Sequence, residues 1–297
     1  MHFIQKYSIA FFLMIAVVLS PYSAVIAQSD PGDSSSSPIN THSRVYRVNY
    51  WVSGGIITAG AIAGYTFPLN SFGKGTIDSA DLANLNPNNV PSFDRISLHQ
   101  NPALVPTFDN YSRYMQIGMA ALPLTLLIDN DIRHDWLPVM VMGLEVNMVT
   151  VGIFSVSPLG PLFQTRYRPV IYYPNAPVNR SDGNQKNSFY SGHTASAAAA
   201  SYFMAKVYCD YHPDANEYLV YGAATIPPLV MAYVRFMSLN HFPSDIAAGY
   251  AVGTICGVLI PELHKIGDKD LSIGAYSSPT TGTGLTIQWT PTETASK

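Results

Sequence analysis

Charge is scarce in this chain. Lysine and arginine number 16 and aspartate and glutamate 19 among 297 residues, so charged residues make up 12%, about half of the roughly 25% usual in soluble domains. The net charge of −3 argues against a nucleic-acid surface, which needs a clustered basic excess. Cysteine is scarcer still: Cys209 and Cys256 are the only two. That excludes a disulfide framework and a cysteine-based metal site, and leaves open one disulfide or two buried thiols. No internal repeat is visible. No cluster of carboxylates is available for a metal.

Apolar residues are abundant, at 47%. They gather in six segments: Tyr50–Leu69, Met115–Ile128, Trp136–Phe163, Thr194–Ala205, Tyr218–Val234 and Ile246–Leu263. All are long enough for helices, and alanine, leucine and methionine dominate several. The expected fold is all-α, a bundle of about six core helices. Pro227-Pro228 should kink the fifth. Glu145 reads as a satisfied polar group in the third segment. His99, His134, His212 and His264 read as solvated.

The flanks differ from the bundle. Lys6, the apolar run Ile9–Leu19 and Val25-Ile26-Ala27 have the order of a secretory signal peptide over 1–27. A polar linker follows over 28–45, then the bundle over 46–270. The stretch 271–289 resembles two short strands around a Gly/Thr/Pro turn, within a C-terminal appendage of 271–297. Two connections, 70–112 and 164–193, are long enough to be functional.

The polar residues concentrate at the ends of apolar segments. "VRFMSLNHFPSDIAAG" (234–249) holds Arg235, His241 and Asp245. His241 and Asp245 are four apart, so on a helix they share a face and the carboxylate can fix the imidazole's tautomer. "QTRYRPV" brings Arg166 and Arg168, and "SFYSGHTAS" brings Ser191, Gly192 and His193 before the Ala-rich segment. In an up-and-down bundle these four helix ends lie on one face. Arginine forks suit phosphate oxygens. A Ser-Gly helix start offers N–H groups to an anion. Two histidines can divide nucleophilic attack and proton donation.

These motifs resemble the phosphatidic acid phosphatase type 2 superfamily, which includes bacterial class A acid phosphatases and vanadium haloperoxidases. The family pattern is a lysine, six residues and Arg-Pro; then Pro-Ser-Gly-His; then Ser-Arg, five residues, His, three residues and Asp. Here these are Arg168-Pro169, Tyr190 to His193, and Arg235 to Asp245, over roughly 136–263. The chain departs from the pattern at Pro161, where the lysine should stand, and Arg166 is the substitute in reach; Tyr190 and Val234 replace framing residues.

The resemblance implies a metal-independent, cofactor-free phosphatase acting on phosphomonoesters or lipid phosphates. His241 would be the nucleophile, oriented by Asp245, with His193 as the acid. Arg166, Arg168, Arg235, Ser191 and Gly192 would hold the phosphoryl group. A vanadate-dependent haloperoxidase and a catalytically weak envelope protein are the alternatives. The expected location is exported, in the periplasm or envelope, with the catalytic face outside the cytoplasm, membrane association compatible, and fewer than six spans.

Overall fold

The computed structural model describes residues 44–69, 74–266, 271–278 and 282–289. The expected signal peptide, and the linker up to residue 43, lie outside the described residues. The described chain is an all-α bundle with a C-terminal hairpin. Its helices are α1 (Tyr50–Leu69), α2 (Ser79–Ala83), α3 (Val105–Ala121), α4 (Asn130–His134), α5 (Trp136–Val156), α6 (Gly192–Tyr211), α7 (Glu217–Ala224), α8 (Ile226–Met237) and α9 (Pro243–His264). Strands β1 (Leu271–Ser278) and β2 (Gly282–Trp289) pair antiparallel, with Leu271 opposite Trp289.

The helix boundaries follow local chemistry. Asn216 caps α7 by accepting from Leu219 N, and Asp129 caps α4. The expected kink at Pro227-Pro228 is a break: α7 ends at Ala224 and α8 starts at Ile226, with proline in its first turn, where no backbone donor is needed. The second apolar run is the end of a longer element. Helix α3 starts ten residues earlier, at Val105, and a 3-10 stretch carries it on through Leu122–Ile128. Its first half, "VPTFDNYSRY", is too polar for an apolar-run search to find.

Helix α6 is the centre. The α9 glycines lie against its backbone: a Cβ on Gly249 would meet Ser191 O at 2.3 Å, on Gly253 Ala195 O at 2.0 Å, and on Gly257 Ala199 O at 2.5 Å. Only a missing side chain allows that approach. The alanine run Ala197–Ala200, buried on the other partner, serves the same purpose. Helices α1 and α5 close the other side around Ile56, Val139, Met142, Val146 and Phe203.

At the far end, ion pairs join the helix termini. Lys206 bonds Asp210 and Glu262, Lys265 bonds Asp210, and Tyr46 donates to Asp210 at 2.6 Å. Glu145 meets His264 Nε2 at 3.1 Å, both buried. His264 is therefore part of the interior and not solvated as its sequence position suggested. His212 is half-buried against Asp129 at 3.0 Å. Both cysteines are free thiols.

Among the described residues, three helical stretches are long and apolar enough to cross a membrane: Trp136–Val156, Glu217–Met237 and Pro243–His264. Large apolar side chains stay exposed along several helices, including Tyr114, Ile128, Tyr218 and Leu219. These surfaces are compatible with membrane association.

The glycine contact is testable. Gly253→Ala should lose about 1–3 kcal/mol, the usual cost of overpacking. Gly118→Ala, in α3 with nothing within 4 Å of the added Cβ, should gain about 0.4–1 kcal/mol. Urea unfolding of the two variants measures both. A Gly253→Ala protein as stable as the parent would contradict the close approach.

Candidate active site

The glycine contact brings the first turns of α6 and α9 together. Ser191 N donates to Asp245 O at 3.0 Å. Next to this junction the 157–191 connection folds back on itself: Arg166 N bonds Lys186 O at 3.0 Å, Arg168 N bonds Gln185 O at 2.8 Å, and Ser188 N bonds Arg166 O at 3.0 Å. Val170 N then bonds Leu239 O at 3.0 Å, which fastens this connection to the α8–α9 turn. Leu239 makes that turn at φ 52° and is fully buried. A leucine at positive φ is strained, and its side chain is held among Ile77, Val105, Val170 and Ile171.

The result is a pocket of about 350 Å³. Arg168, Gly192, His193, Arg235 and His241 all line it, with Gln116, Thr150, Phe154, Asn184 and Asn187 around them. Five of the eight expected site residues thus meet. No carboxylate lines the pocket among the described residues.

The cations are incompletely satisfied. Arg235 is 5% exposed and reaches Ser112 Oγ at 2.9 Å and Asp109 at 3.6 Å. Arg168 bonds Asn240 Oδ1. The Nε of each is buried without a hydrogen-bond partner. Gly192 and His193 occupy the first two positions of α6, where backbone N–H groups have no intrahelical acceptor. Unpaired donors and two guanidinium groups in a water-poor pocket favour an anion.

Burial, then Arg235 and Arg168, hold both His193 and His241 well below the ordinary histidine value. Both imidazoles are therefore neutral near pH 7. His241 Nδ1 lies 2.6 Å from Ser188 O. A carbonyl only accepts, so Nδ1 carries the proton and Nε2 keeps its lone pair.

Three placements correct the sequence reading. First, His241 precedes α9, which starts at Pro243, so His241 and Asp245 do not share a helical face. Asp245 accepts instead from Phe242 N at 2.8 Å and Ser188 Oγ at 2.6 Å, and acts on the imidazole at one remove. Burial pushes its carboxyl up to about 6, against the lowering pull of Arg166, the Ser188 hydroxyl and the Phe242 N–H.

Second, Pro161 lines the pocket at the family lysine position, but Arg166 does not replace that lysine there. Its guanidinium bonds Asp94 at 2.6 Å, Ser244 Oγ at 2.7 Å and Asp245, and lies over the Phe242 ring. Two carboxylates outcompete an empty pocket for a fork-shaped cation. Third, the Ser191 hydroxyl is fully buried as the α6 cap, 3.4 Å from Thr194 N and 2.9 Å from Thr194 Oγ1.

Other groups escaped the sequence reading. Asp94, Asp109, Ser112 and Asn240 hold the arginines, and Ser188 holds His241. Lys74 donates to Gln164 O and, at 3.3 Å, Lys186 O. Burial, then Lys186, lowers its amino group to about 8. Asp94, Asp109, Ser112 and Lys74 come from segments distant along the chain, and although Ser188 and Asn240 stand in the quoted motifs, nothing local marks which group each one holds. Asp129, Asp131 and His212 have ligand atoms within 4.8 Å of one another, but they lie outside this pocket.

The PAP2 superfamily model matches residues 141–266. The match supports a phosphatase at the coarse level of a phosphoric ester hydrolase. No curated protein and no solved structure matches the chain.

The histidines make stability depend on pH with a definite sign. Unfolded, each takes a proton below about 6.5; folded, each resists it. The unfolded state then binds more protons, and acid destabilises the fold. Asp245 opposes this, because its folded value of about 6 exceeds the unfolded 3.8. Two against one leaves a net loss of stability as the pH falls through the histidine range. Urea unfolding should show lower stability at pH 5.5 than at 7, and a smaller loss in His241→Gln. Equal slopes in parent and variant would refute the assignment.

Proposed function

We propose, from the match of residues 141–266 to the PAP2 superfamily model, a metal-independent phosphatase that works through a phosphohistidine. The observation that carries this reading is the convergence of His193, His241, Arg168 and Arg235 on one pocket, with a single imidazole fixed at Nδ1. The phosphoryl oxygens sit between Arg168, Arg235 and the α6 N-terminus. His241 Nε2 attacks phosphorus as the phosphorus–oxygen bond to the leaving group breaks. His193 gives that oxygen its proton. In the second step His193 takes a proton from water, and the oxygen of that water displaces His241.

Both histidines are neutral in the free site, so the proton on His193 comes with the substrate. Burial, then Arg235 and Arg168, hold His193 neutral, and the phosphate's negative charge offsets the two arginines. A monoanionic ester can carry the proton in. Arginine charge takes the place that a metal ion holds in other phosphatases. Asp245 and Ser188 position His241. The substrate is a phosphomonoester or a lipid phosphate. The proposed location is outside the cytoplasm, in the periplasm or envelope; the apolar helices make a membrane-associated form compatible with it.

His241→Ala should lose about 10³-fold or more in phosphate release, as removal of an activated nucleophile does. Acid-labile ³²P should be trapped on the parent and not on the variant. EDTA should leave turnover unchanged, and vanadate should inhibit it. Loss of activity in EDTA that a divalent ion restores would replace this mechanism with a metal-assisted one.

The location has its own test. Lys186 lies on the loop beside the pocket, between the lining residues Asn184 and Asn187. Lys186→Cys, with Cys209 and Cys256 replaced, should react with an impermeant thiol reagent in cells whose inner membrane is intact. Labelling only after that membrane is broken would place the site in the cytoplasm.

A further inference from the structure

Asp94 is 1% exposed, a carboxylate buried at the edge of the site. It comes from the connection between α2 and α3, outside residues 141–266. Its Oδ2 accepts from Arg166 Nη2 at 2.6 Å and Ser244 Oγ at 2.7 Å, and its Oδ1 from Ser244 N at 2.9 Å. Ser244 N is one of the unpaired donors in the first turn of α9, so Asp94 caps that helix from another segment.

The contacts continue inward. Arg166 Nη1 reaches Asp245 Oδ1, and its guanidinium carbon lies 4.5 Å from the centre of the Phe242 ring. Asp245 Oδ2 takes the Ser188 hydroxyl, and Ser188 O takes the His241 Nδ1–H. Arg166 alone with Asp245 would have one arm of its fork unpaired beside an anion pocket. A second carboxylate fixes both arms and holds the cation out of that pocket.

We propose that Asp94 is a positioning residue for His241. Through Arg166 and the first turn of α9 it fixes Asp245, hence Ser188, hence the His241 imidazole that lines the pocket. The consequence for turnover rests on the phosphatase reading above; the positioning itself does not. The α2–α3 connection is then a working part of the site.

The test follows the His241 Nδ1–H proton resonance in the ¹⁵N-labelled full chain, assigned by its loss in His241→Gln. In Asp94→Asn this resonance should move upfield or vanish by exchange. Arg166→Gln should do the same, and the double variant should go no further than the larger single change, because the two act in one chain of contacts. Asp78→Asn, which removes a carboxylate charge at the α2 cap in the same connection, should leave it in place. Where phosphate release is measured, Asp94→Asn should lower kcat by about tenfold or more with KM within about twofold.

An unmoved resonance in Asp94→Asn, or an equal change in Asp78→Asn, overturns the proposal. Should Asp94→Asn not fold, Arg166→Lys puts the same question, since one ammonium cannot fork to both carboxylates; an unmoved resonance there overturns it as well. A parent protein that releases no phosphate from any ester defeats the phosphatase reading and leaves the resonance to decide the role of Asp94.

Discussion

The backbone contact between α6 and α9 is the constraint from which the site follows. Gly249, Gly253 and Gly257 let α9 lie directly on the carbonyls of Ser191, Ala195 and Ala199. Helices usually pack 8–10 Å apart, and missing side chains every fourth residue let this pair meet backbone to backbone. The start of α6 lies beside the first two turns of α9, where Ser191 N bonds Asp245 O at 3.0 Å. Gly192 and His193 come from one, and His241 and Asp245 flank the start of the other. A longer side chain in the seam would part the histidines before it touched either of them.

Around that junction the carboxylates stay out of the pocket lining. Arg168 and Arg235 line the pocket with unpartnered Nε atoms, and Asp109 approaches Arg235 at 3.6 Å from outside that lining. Asp94 and Asp245 face away and hold Arg166 between them. Burying guanidinium groups without full pairing is costly. Burial, together with these guanidinium groups, depresses both histidines, and the pocket is left complementary to an anion.

The connections carry as much of the site as the helices do. Asp94, Asp109 and Ser112 lie ahead of the matched segment and supply partners to Arg166 and Arg235. Ser188 supplies the carbonyl that sets the His241 tautomer. The bundle places the reacting groups, and the loops around it fix their orientation.

The sequence determined the helical class, the first helix to its last residue, and the set of polar residues at the helix ends. Apolar runs and capping residues are local signals, and they are read correctly where the run is uniform. It missed the polar half of α3, because burial of one face does not require an apolar run. It also singled out His193, His241, Arg168 and Arg235, which line one pocket because each stands near a helix terminus and topology sends those termini to one face.

Partner choice was decided only by the tertiary structure. Four-residue spacing suggested that Asp245 holds His241, but α9 begins between them and gives the imidazole to Ser188 instead. Arg166 looked like a spare phosphate ligand until Asp94, 72 residues earlier, took one arm of its fork. Ser191, expected to hold the phosphoryl group, has its hydroxyl 2.9 Å from Thr194 Oγ1 at the α6 cap. A side chain's chemistry is written in the sequence, but its hydrogen-bond partner is whichever group the packed backbone brings within about 3 Å, and that depends on segments far away along the chain.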